Sequence, residues 1–288
     1  MKISDKWPIK IIEKVDFPEH LKCINNCPEK LNYRGVWDNK LFDKSLAIVG
    51  SRRMSQYGKW VIEKFVPELV AHKFAIISGF MYGVDTTAHR ETLACGGVTV
   101  AVLGGGLDVF TPSDNEKMYW EILEKGGLII SEYENDFQPT LWSFPQRNRI
   151  VSGLSKNGVL VVEANMKSGS LITARLATEQ SKKLYAIPGP INSSVSTGVN
   201  YLIKEKGAIM VTCPEEITQA KTKFTQLEIE IIDPFEKEII QYLKIESLST
   251  DELAKKLDKK IMLVSQKLMI MNMEGKISEN LGKWQRNI

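Results

Sequence analysis

The sequence predicts an α/β protein of Rossmann-like type, with a mostly parallel sheet and helices on both of its faces. Short apolar runs rich in Val and Ile recur between residues 46 and 211, as expected for strands buried on both faces. Segments long enough for crossover helices separate several runs, and this alternation is typical of a parallel sheet. The runs are LAIVG (46–50), FAIISG (74–79), VTVAVLG (98–104), LIIS (128–131), VLVVEA (159–164), LYAIPG (184–189) and AIMV (208–211), and the helical segments are 56–71, 84–95, 114–125 and 169–181.

Changes of pattern along the chain predict four segments. Residues 1–43 are too few to bury a core of their own, so we expect an N-terminal arm that packs on the main domain. Residues 44–220 form the Rossmann-like domain and 221–233 a linker. Residues 234–288 contain three helical segments and a short tail able to form a β-wing, which predicts a small winged-helix-like module.

Composition and charge exclude several classes of protein. The chain has 288 residues, of which 43% are hydrophobic and 25% charged, and its formal net charge is +3. No apolar run reaches the roughly 18–20 residues of a membrane helix, and the N-terminus lacks the apolar core of a signal peptide. We therefore expect a cytoplasmic protein with no membrane partner. His20, Cys23 and Cys27 lack the second half of a zinc motif, so we expect no metal site.

Glycine, serine and arginine repeatedly follow the predicted strands at the points where these end. The carboxyl ends of parallel strands meet at one edge of a sheet, where such folds bind ligands. Amides at the start of the following helices and the forked arginine guanidinium both bind phosphate. The sequence therefore predicts a site for a phosphate-rich ligand, formed by Gly50, Ser51, Arg52, Gly79, Gly104, Gly105, Arg147, Asn148, Arg149, Lys167, Ser168, Gly169 and Ser170.

Each part of this site has its own expected role. The helix after Arg52 directs its N-terminal amides at the anion. Arg147, Asn148 and Arg149 cluster at a helix start after Pro145, and the glycines at 104–106 let a ligand approach closely. The aromatic side chains Tyr57, Trp142 and Phe144 either stack on bases or belong to the core.

Signatures of catalysis are missing from the sequence. It contains no Walker A loop and no serine nucleophile elbow, and its three consecutive glycines do not form a dinucleotide fingerprint. Asp85 and His89 lie four residues apart on a predicted helix. They can form an acid–base pair, although a structural contact is the favoured interpretation. We therefore expect a binding protein with no catalytic residue and no cofactor.

Six ordered segments together resemble the bacterial DNA-processing protein A family (DprA, also called Smf). They extend from about residue 44 to 212 and read VGSRRMSQYG, SGFMYGVDTTAH, AVLGGGLDVFTPSDN, SEYENDFQPTLWSFPQRNRIVSGLS, VVEANMKSGSLITARLA and AIPGPINSSVSTGVNYLIKEKGA. The resemblance implies an extended Rossmann-like, non-enzymatic domain that binds and protects single-stranded DNA in natural transformation and DNA recombination. It also implies that the protein helps to load the RecA recombinase and acts as a homodimer.

The same resemblance carries roles to individual positions. It implies that Gly50, Ser51 and Arg52 form the first phosphate-binding loop, that Arg147–Arg149 form the basic loop before the long helix, and that Ser168–Ser170 form a serine–glycine loop. The sequence departs from the family at three points. Only 43 residues precede the sheet, and Phe80 and Met81 stand where smaller residues are usual, which predicts an altered pocket. The chain from residue 214 onward carries 12 basic and 13 acidic residues and no arginine-rich helix, which favours a partner or self contact over reading of duplex DNA.

Two other functions remain open at this point. A Rossmann-like sheet with glycine-rich loops also suits a phosphoribohydrolase, which cleaves a nucleotide at its N-glycosidic bond, with Glu163 as the carboxylate. The loop after Glu163 lacks the Pro-Gly-Gly sequence expected of that class. A sensor of small nucleotides would use the same pocket, and it would bind mononucleotides but not oligonucleotides.

Overall fold

The apolar runs of the sequence form strands of one nine-stranded sheet in the computed structural model. The structure describes residues 6–219, 234–273, 275–280 and 282–286, so the predicted linker, 221–233, lies outside the described residues. The strands are β1 (Lys10–Glu13), β2 (Lys30–Gly35), β3 (Ser45–Val49), β4 (Ala75–Ser78), β5 (Thr99–Val102), β6 (Leu128–Ser131), β7 (Val159–Val161), β8 (Leu184–Ala186) and β9 (Ile209–Met210).

The sheet is mostly parallel, as predicted. Its strand order is β1-β2-β6-β5-β4-β3-β7-β8-β9, and β3 to β9 all pair in parallel. From β3 the chain proceeds outward through β4, β5 and β6, then returns to place β7 on the other side of β3. In open α/β sheets a crevice forms at the carboxyl ends of the strands where the order reverses, and ligands bind there. In this chain that position is the gap between the loops that follow β3 and β7.

Helices cover both faces of the sheet because successive side chains of each buried strand point to opposite sides. Leu46 and Ile48 of β3 pack with the helix after that strand. Ala47 and Val49 point to the other face and pack with the helices that contain Leu154 and Ala174. Among the described residues, no helix combines the length and the apolar character that crossing a bilayer requires. The helices of this part are α1 (Glu19–Lys22), α2 (Gln56–Ala71), α3 (Val84–Ala94), α4 (Glu116–Glu124), α5 (Ser143–Leu154), α6 (Ser170–Glu179), α7 (Thr197–Lys206) and α8 (Glu215–Thr218).

The N-terminal segment is part of the sheet, which differs from the arm predicted for residues 1–43. Strand β2 pairs antiparallel with β6, and β1 pairs antiparallel with β2. Phe17 and Leu21 between these strands are fully buried in the same core cluster as the strands of the main sheet. The strands were missed because KIIE and KLNYRG are short and carry charges, unlike the continuous apolar runs of the centre.

The chain divides into two compact units, Met1–Ala220 and Lys221–Ile288. The second unit has helices α9 (Pro234–Leu243), α10 (Thr250–Leu257) and α11 (Ile261–Met273), followed by an antiparallel pair of strands, β10 (Ile277–Asn280) and β11 (Lys283–Arg286). Ser249 and Glu252 form the capping box that starts α10. The unit has its own apolar core, which includes Leu253, Leu268 and Trp284.

Candidate functional site

A cleft of about 650 Å³ lies at the carboxyl ends of β3, β4 and β7, at the reversal of strand order described above. Ten of the thirteen predicted site residues line it. They come from four separate segments of the chain: Gly50, Ser51 and Arg52 after β3, Gly79 after β4, Arg147 and Asn148 on α5, and Lys167, Ser168, Gly169 and Ser170 after β7.

Arg147 forms the floor of the cleft and is held by main-chain oxygens. Its Nη1 donates to the carbonyl oxygen of Gly79 at 2.7 Å and also to that of Val102. Its side chain is almost fully buried, and this burial lowers the pKa of the guanidinium to about 10. The group therefore stays charged at neutral pH and places a fixed cation beneath the cleft.

Asp85 lies beside Arg147 and, in the part of the chain that the structure describes, is the one acidic residue that lines the cleft. Burial raises the pKa of its carboxyl to about 6, against the opposing effect of Arg147. A Cβ atom on Gly79 would lie 2.7 Å from Oδ2 of Asp85 and 2.8 Å from Nη2 of Arg147. Position 79 therefore has no room for a side chain, because these two groups occupy the space that it would need.

The rim of the cleft carries exposed cations and hydroxyl groups. The guanidinium of Arg52 lies 5.3 Å from the centre of the Phe144 ring, a cation–π contact that holds it over the opening. On the opposite wall, the hydroxyls of Ser168 and Ser170 lie 2.6 Å apart. Helix α6 begins at Ser170, and its first residue lines the cleft, so the positive end of the helix dipole is at this wall.

The start of α2 is already occupied by an internal anion, which differs from the predicted role of its amides in ligand binding. Glu163, which is 2% exposed, accepts from the Ser55 backbone N–H at 2.9 Å and from the Ser55 hydroxyl. A Cβ on Gly58 would lie 2.6 Å from Oε2 of this carboxylate. Glu163 is therefore engaged in capping a helix and does not line the cleft.

Arg149 does not reach the cleft, although it was predicted there with Arg147. Its guanidinium forms a bidentate ion pair with Glu132, with Nη1–Oε1 and Nη2–Oε2 distances of 2.9 and 2.6 Å. Its Nε also donates to the carbonyl oxygen of Asn26. The cause is helical geometry. Pro145 lies in the first turn of α5, where proline is tolerated, so the three residues Arg147–Arg149 are inside the helix. Residues two apart on a helix point in nearly opposite directions.

Gly104 and Gly105 are also absent from the described lining of the cleft. A Cβ on Gly104 would lie 2.7 Å from the Phe144 ring, and one on Gly105 would lie 3.0 Å from the ring of Pro139. These glycines therefore allow loops of the protein to pack closely against each other. The prediction that they let a ligand approach closely differs from this arrangement.

Asp85 and His89 have separate partners. Thr99 donates its hydroxyl hydrogen to the carbonyl oxygen of Ile76, so its oxygen accepts from Nδ1 of His89 at 2.6 Å. Burial lowers the pKa of His89 to about 3, which keeps the ring neutral. The predicted pairing of Asp85 with His89, as an acid–base pair or as a structural contact, therefore differs from the structure: His89 is held in the core by Thr99, whereas Asp85 lines the cleft.

Several lining residues were missed or only partly anticipated. Met81 and Phe144 add apolar surface, and Arg53 adds a further exposed cation. Of the two residues that depart from the family pattern at this point, Met81 lines the cleft, whereas the Phe80 side chain is buried in the core. Thr173 lies one turn after Ser170 on α6, so the i, i+3 spacing was a usable signal for it.

Comparison with known proteins places this chain among DNA-processing proteins. The family model described as DNA recombination-mediator protein A matches residues 9–222, so the match includes the N-terminal strands. Protein Smf of Escherichia coli is 44% identical over 203 residues, which are 70% of this chain and 54% of that protein. The chain thus matches about half the length of the E. coli relative. DNA processing protein DprA of Streptococcus pneumoniae is 42% identical over 212 residues, 74% of this chain and 73% of that protein.

Solved structures agree with these sequence matches. The X-ray structure of DprA from S. pneumoniae superposes with a TM-score of 0.67 at 38% identity and covers 76% of each chain. DprA from Helicobacter pylori, whose structure was described for its mode of binding single-stranded DNA, superposes with a TM-score of 0.66 at 33% identity. That match covers 76% of this chain and 97% of the H. pylori chain.

Proposed function

This chain belongs to the DNA recombination-mediator protein A family, and from that premise we propose that its cleft binds the phosphate backbone of single-stranded DNA. The observation that carries the proposal is the convergence of phosphate-binding groups from four segments of the chain on one cleft. The binding mode described for the H. pylori relative supports the same ligand.

The charge of the cleft suits a polyanion. Among the described residues, four cations and one carboxylate line it: Arg52, Arg53, Arg147 and Lys167, and Asp85. Contacts of guanidinium, hydroxyl and helix-start amide groups to phosphate carry no base information, so binding is independent of sequence. The formal net charge of the chain is only +3, so attraction in this proposal comes from a local cluster of cations and not from a general positive field.

The shape of the cleft favours a single strand over a duplex. A single strand bends easily into a concave site, whereas bending a duplex costs several kcal/mol, in the range of about 1–6 for a short site. Phe144, which lines the cleft and is partly exposed, also offers an aromatic ring against which an unpaired base can stack. A duplex hides its base faces and gains nothing from this ring.

The protein acts in this proposal without catalysing a reaction. The phosphoribohydrolase alternative requires the carboxylate of Glu163, which instead accepts the Ser55 backbone N–H at the start of α2. Glu163 therefore lies outside the cleft in which a nucleotide would bind. Asp85 is paired electrostatically with Arg147 and accepts from the backbone N–H of Met81 at 3.3 Å.

We extend the proposal to the cellular role that the family implies. The chain would protect incoming single strands in natural transformation, help to load RecA on them in DNA recombination, and work as a cytoplasmic homodimer. Support for the recombination role comes from the description of the matching family model and from the DNA-processing relatives. Dimerisation would bring two clefts to one strand and raise avidity.

A titration of labelled oligonucleotides tests the ligand. Single-stranded and duplex DNA of the same sequence are added to the full chain at two salt concentrations, and fluorescence anisotropy is recorded. We expect at least tenfold tighter binding of the single strand, weakened by salt. Equal affinity for the duplex would contradict the proposal. Displacement of the oligonucleotide by equimolar mononucleotide would instead favour a small-nucleotide sensor.

A further inference from the structure

Helix α2 carries an exposed aromatic pair close to the cleft. Tyr57 and Trp60 are three residues apart and are therefore neighbours on the helix surface. Their rings stack, with centroids 6.2 Å apart and an angle of 29° or less, 25°, between the planes. Trp60 is 54% exposed, although tryptophan is highly buried on average in folded proteins. The ring is thus available to a ligand.

Tyr57 supports the Trp60 ring and is itself held in place. Its hydroxyl donates to the carbonyl oxygen of Pro188, in the loop after β8, at 2.8 Å. The ring of Tyr57 also packs against the core cluster beneath this face of the sheet. The indole therefore stands on a fixed base, and little freedom remains to be lost when a second ring stacks on it.

Lys64 contacts the same indole. Its ammonium nitrogen lies 5.2 Å from the centre of the Trp60 ring, and the four-residue spacing brings the two side chains together on the helix. Lys64 is exposed and makes no ion pair with any residue that the structure describes, whereas Lys59 on the same helix pairs with Glu63 at 3.6 Å. An exposed cation–π contact is weaker than the stacking of a base on an aromatic ring. A base can therefore take the place of this ammonium.

The helix leads away from the cleft. Arg52 and Arg53, in the loop that precedes α2, line the cleft. Trp60 is four residues beyond the first residue of the helix, which is about 6 Å along its axis, and Lys64 lies about 6 Å further. A strand that leaves the cleft past Arg53 thus meets the aromatic pair first and the lysine next.

We propose that single-stranded DNA leaving the cleft past Arg53 continues along α2, where one unpaired base stacks on Trp60 in place of the Lys64 ammonium. The released ammonium binds a phosphate beside that base. This inference rests on the proposed function and adds a second subsite to it. The exchange requires a free base face, which a duplex does not offer, and stacking on a ring accepts every base.

Oligonucleotides of increasing length separate this subsite from the cleft. In anisotropy titrations of the full chain, affinity should rise in a further step once the strand is long enough to leave the cleft. Trp60→Ala should lose that step and bind the longest strand about fivefold or more weakly, while the shortest strand that binds keeps its affinity. Trp60→Phe should retain most of the step because it keeps an aromatic ring.

Substitution of Lys64 tests the exchange. One more phosphate contact should make the salt dependence of the parent steeper by about 0.7 for the long strand than for the short one. Lys64→Ala should abolish this difference. Lys59→Ala is the matched control, because it removes an exposed cation of the same helix whose partner is Glu63 and not the aromatic pair, and it should leave the difference unchanged.

Photochemical crosslinking locates the stacked base. We expect long strands that carry 5-iododeoxyuridine at successive positions to crosslink to the peptide containing Trp60 from one part of the strand. Crosslinks that never map to α2 contradict the inference and leave the exposed ring to a protein partner.

The outcomes distinguish this subsite from the cleft. A parent chain that binds no oligonucleotide overturns the proposed function. Binding by the parent with the same length step in Trp60→Ala overturns the second subsite alone. Equal losses at every length in Trp60→Ala and Trp60→Phe also contradict it, because Trp60 would then act through the fold of α2.

Discussion

Arg147 donates from Nη1 to the carbonyl oxygen of Gly79 at 2.7 Å, so the cation on the floor of the cleft is held by the backbone of the β4 loop. This contact joins α5 to the carboxyl end of β4. It also explains why the arginine is buried and still charged, since Nη1 donates to two main-chain carbonyl oxygens and the charge is balanced in part by Asp85.

Gly79→Ala should disturb this arrangement. The added methyl group would lie within 2.8 Å of both the Asp85 carboxylate and the Arg147 guanidinium, so one of them must move. We expect a loss of about 1–3 kcal/mol of unfolding free energy, measured by urea denaturation, together with weaker binding of single-stranded DNA. Gly169→Ala is the control, because a Cβ there meets nothing within 4 Å. Equal stability of the two variants would contradict this packing argument.

Arg149→Met should affect folding and leave the electrostatics of DNA binding unchanged. The side chains of Arg149 and Glu132 are only 11% and 9% exposed, and removal of one partner from a buried pair costs about 3–5 kcal/mol. Lys156→Met breaks the exposed pair with Asp43 and should cost less than about 1 kcal/mol. The dependence of DNA affinity on salt should be the same in Arg149→Met and the parent. A shallower salt dependence in Arg149→Met would indicate that Arg149 contacts the DNA after all.

The difference between Arg147 and Arg149 shows what the sequence predicts and what it does not. The strands of the main sheet were predictable because their apolar runs are continuous, and the cleft was predictable because parallel strands end at one edge. The orientation of each arginine depends on where α5 begins, and the sequence prediction placed that start too late. A shift of a few residues in a helix start changes which side chains face the cleft.

Contacts between residues that are far apart in the sequence also could not be predicted from local sequence patterns. Ser55 and Glu163 are 108 residues apart in the chain, and their contact depends on β3 lying beside β7. A carboxylate at a strand end has the same local signature whether it caps a helix or binds a ligand. The N-terminal strands were missed for a related reason, since only pairing with β6 shows that they belong to the sheet.

DNA affinity should increase as the pH falls through about 6. Burial raises the pKa of Asp85 to about 6, and the groups that face it are Arg147, Arg52, the backbone N–H of Met81 and the hydroxyl of Ser78. Protonation removes the negative charge of this carboxylate from the cleft, so the protonated form binds phosphate more tightly. We expect anisotropy titrations from pH 8 to 5 to show this change in the parent. Asp85→Asn should bind tightly at pH 8, with a smaller dependence on pH. An unchanged profile in that variant would exclude Asp85 as its source.

Glu163→Gln separates a structural carboxylate from a catalytic one. The variant replaces one acceptor oxygen with an amide that faces the Ser55 donors, which should cost about 1–3 kcal/mol of stability. Incubation with nucleoside monophosphates, followed by chromatography, should release no free base in either the parent or the variant. Release by the parent that disappears in the variant would favour the phosphoribohydrolase alternative.

The salt dependence of single-stranded DNA binding tests the central proposal most directly. Each phosphate contact contributes a slope of about −0.7 to the plot of log affinity against log salt. If Arg52, Arg53 and Lys167 at the rim each neutralise a phosphate, the parent slope should be about −2. Arg52→Ala should flatten this slope by about 0.7, whereas Arg175→Ala, which removes an exposed arginine outside the cleft, should leave it unchanged. Equal slopes in the two variants would contradict the assignment of the cleft to the DNA backbone.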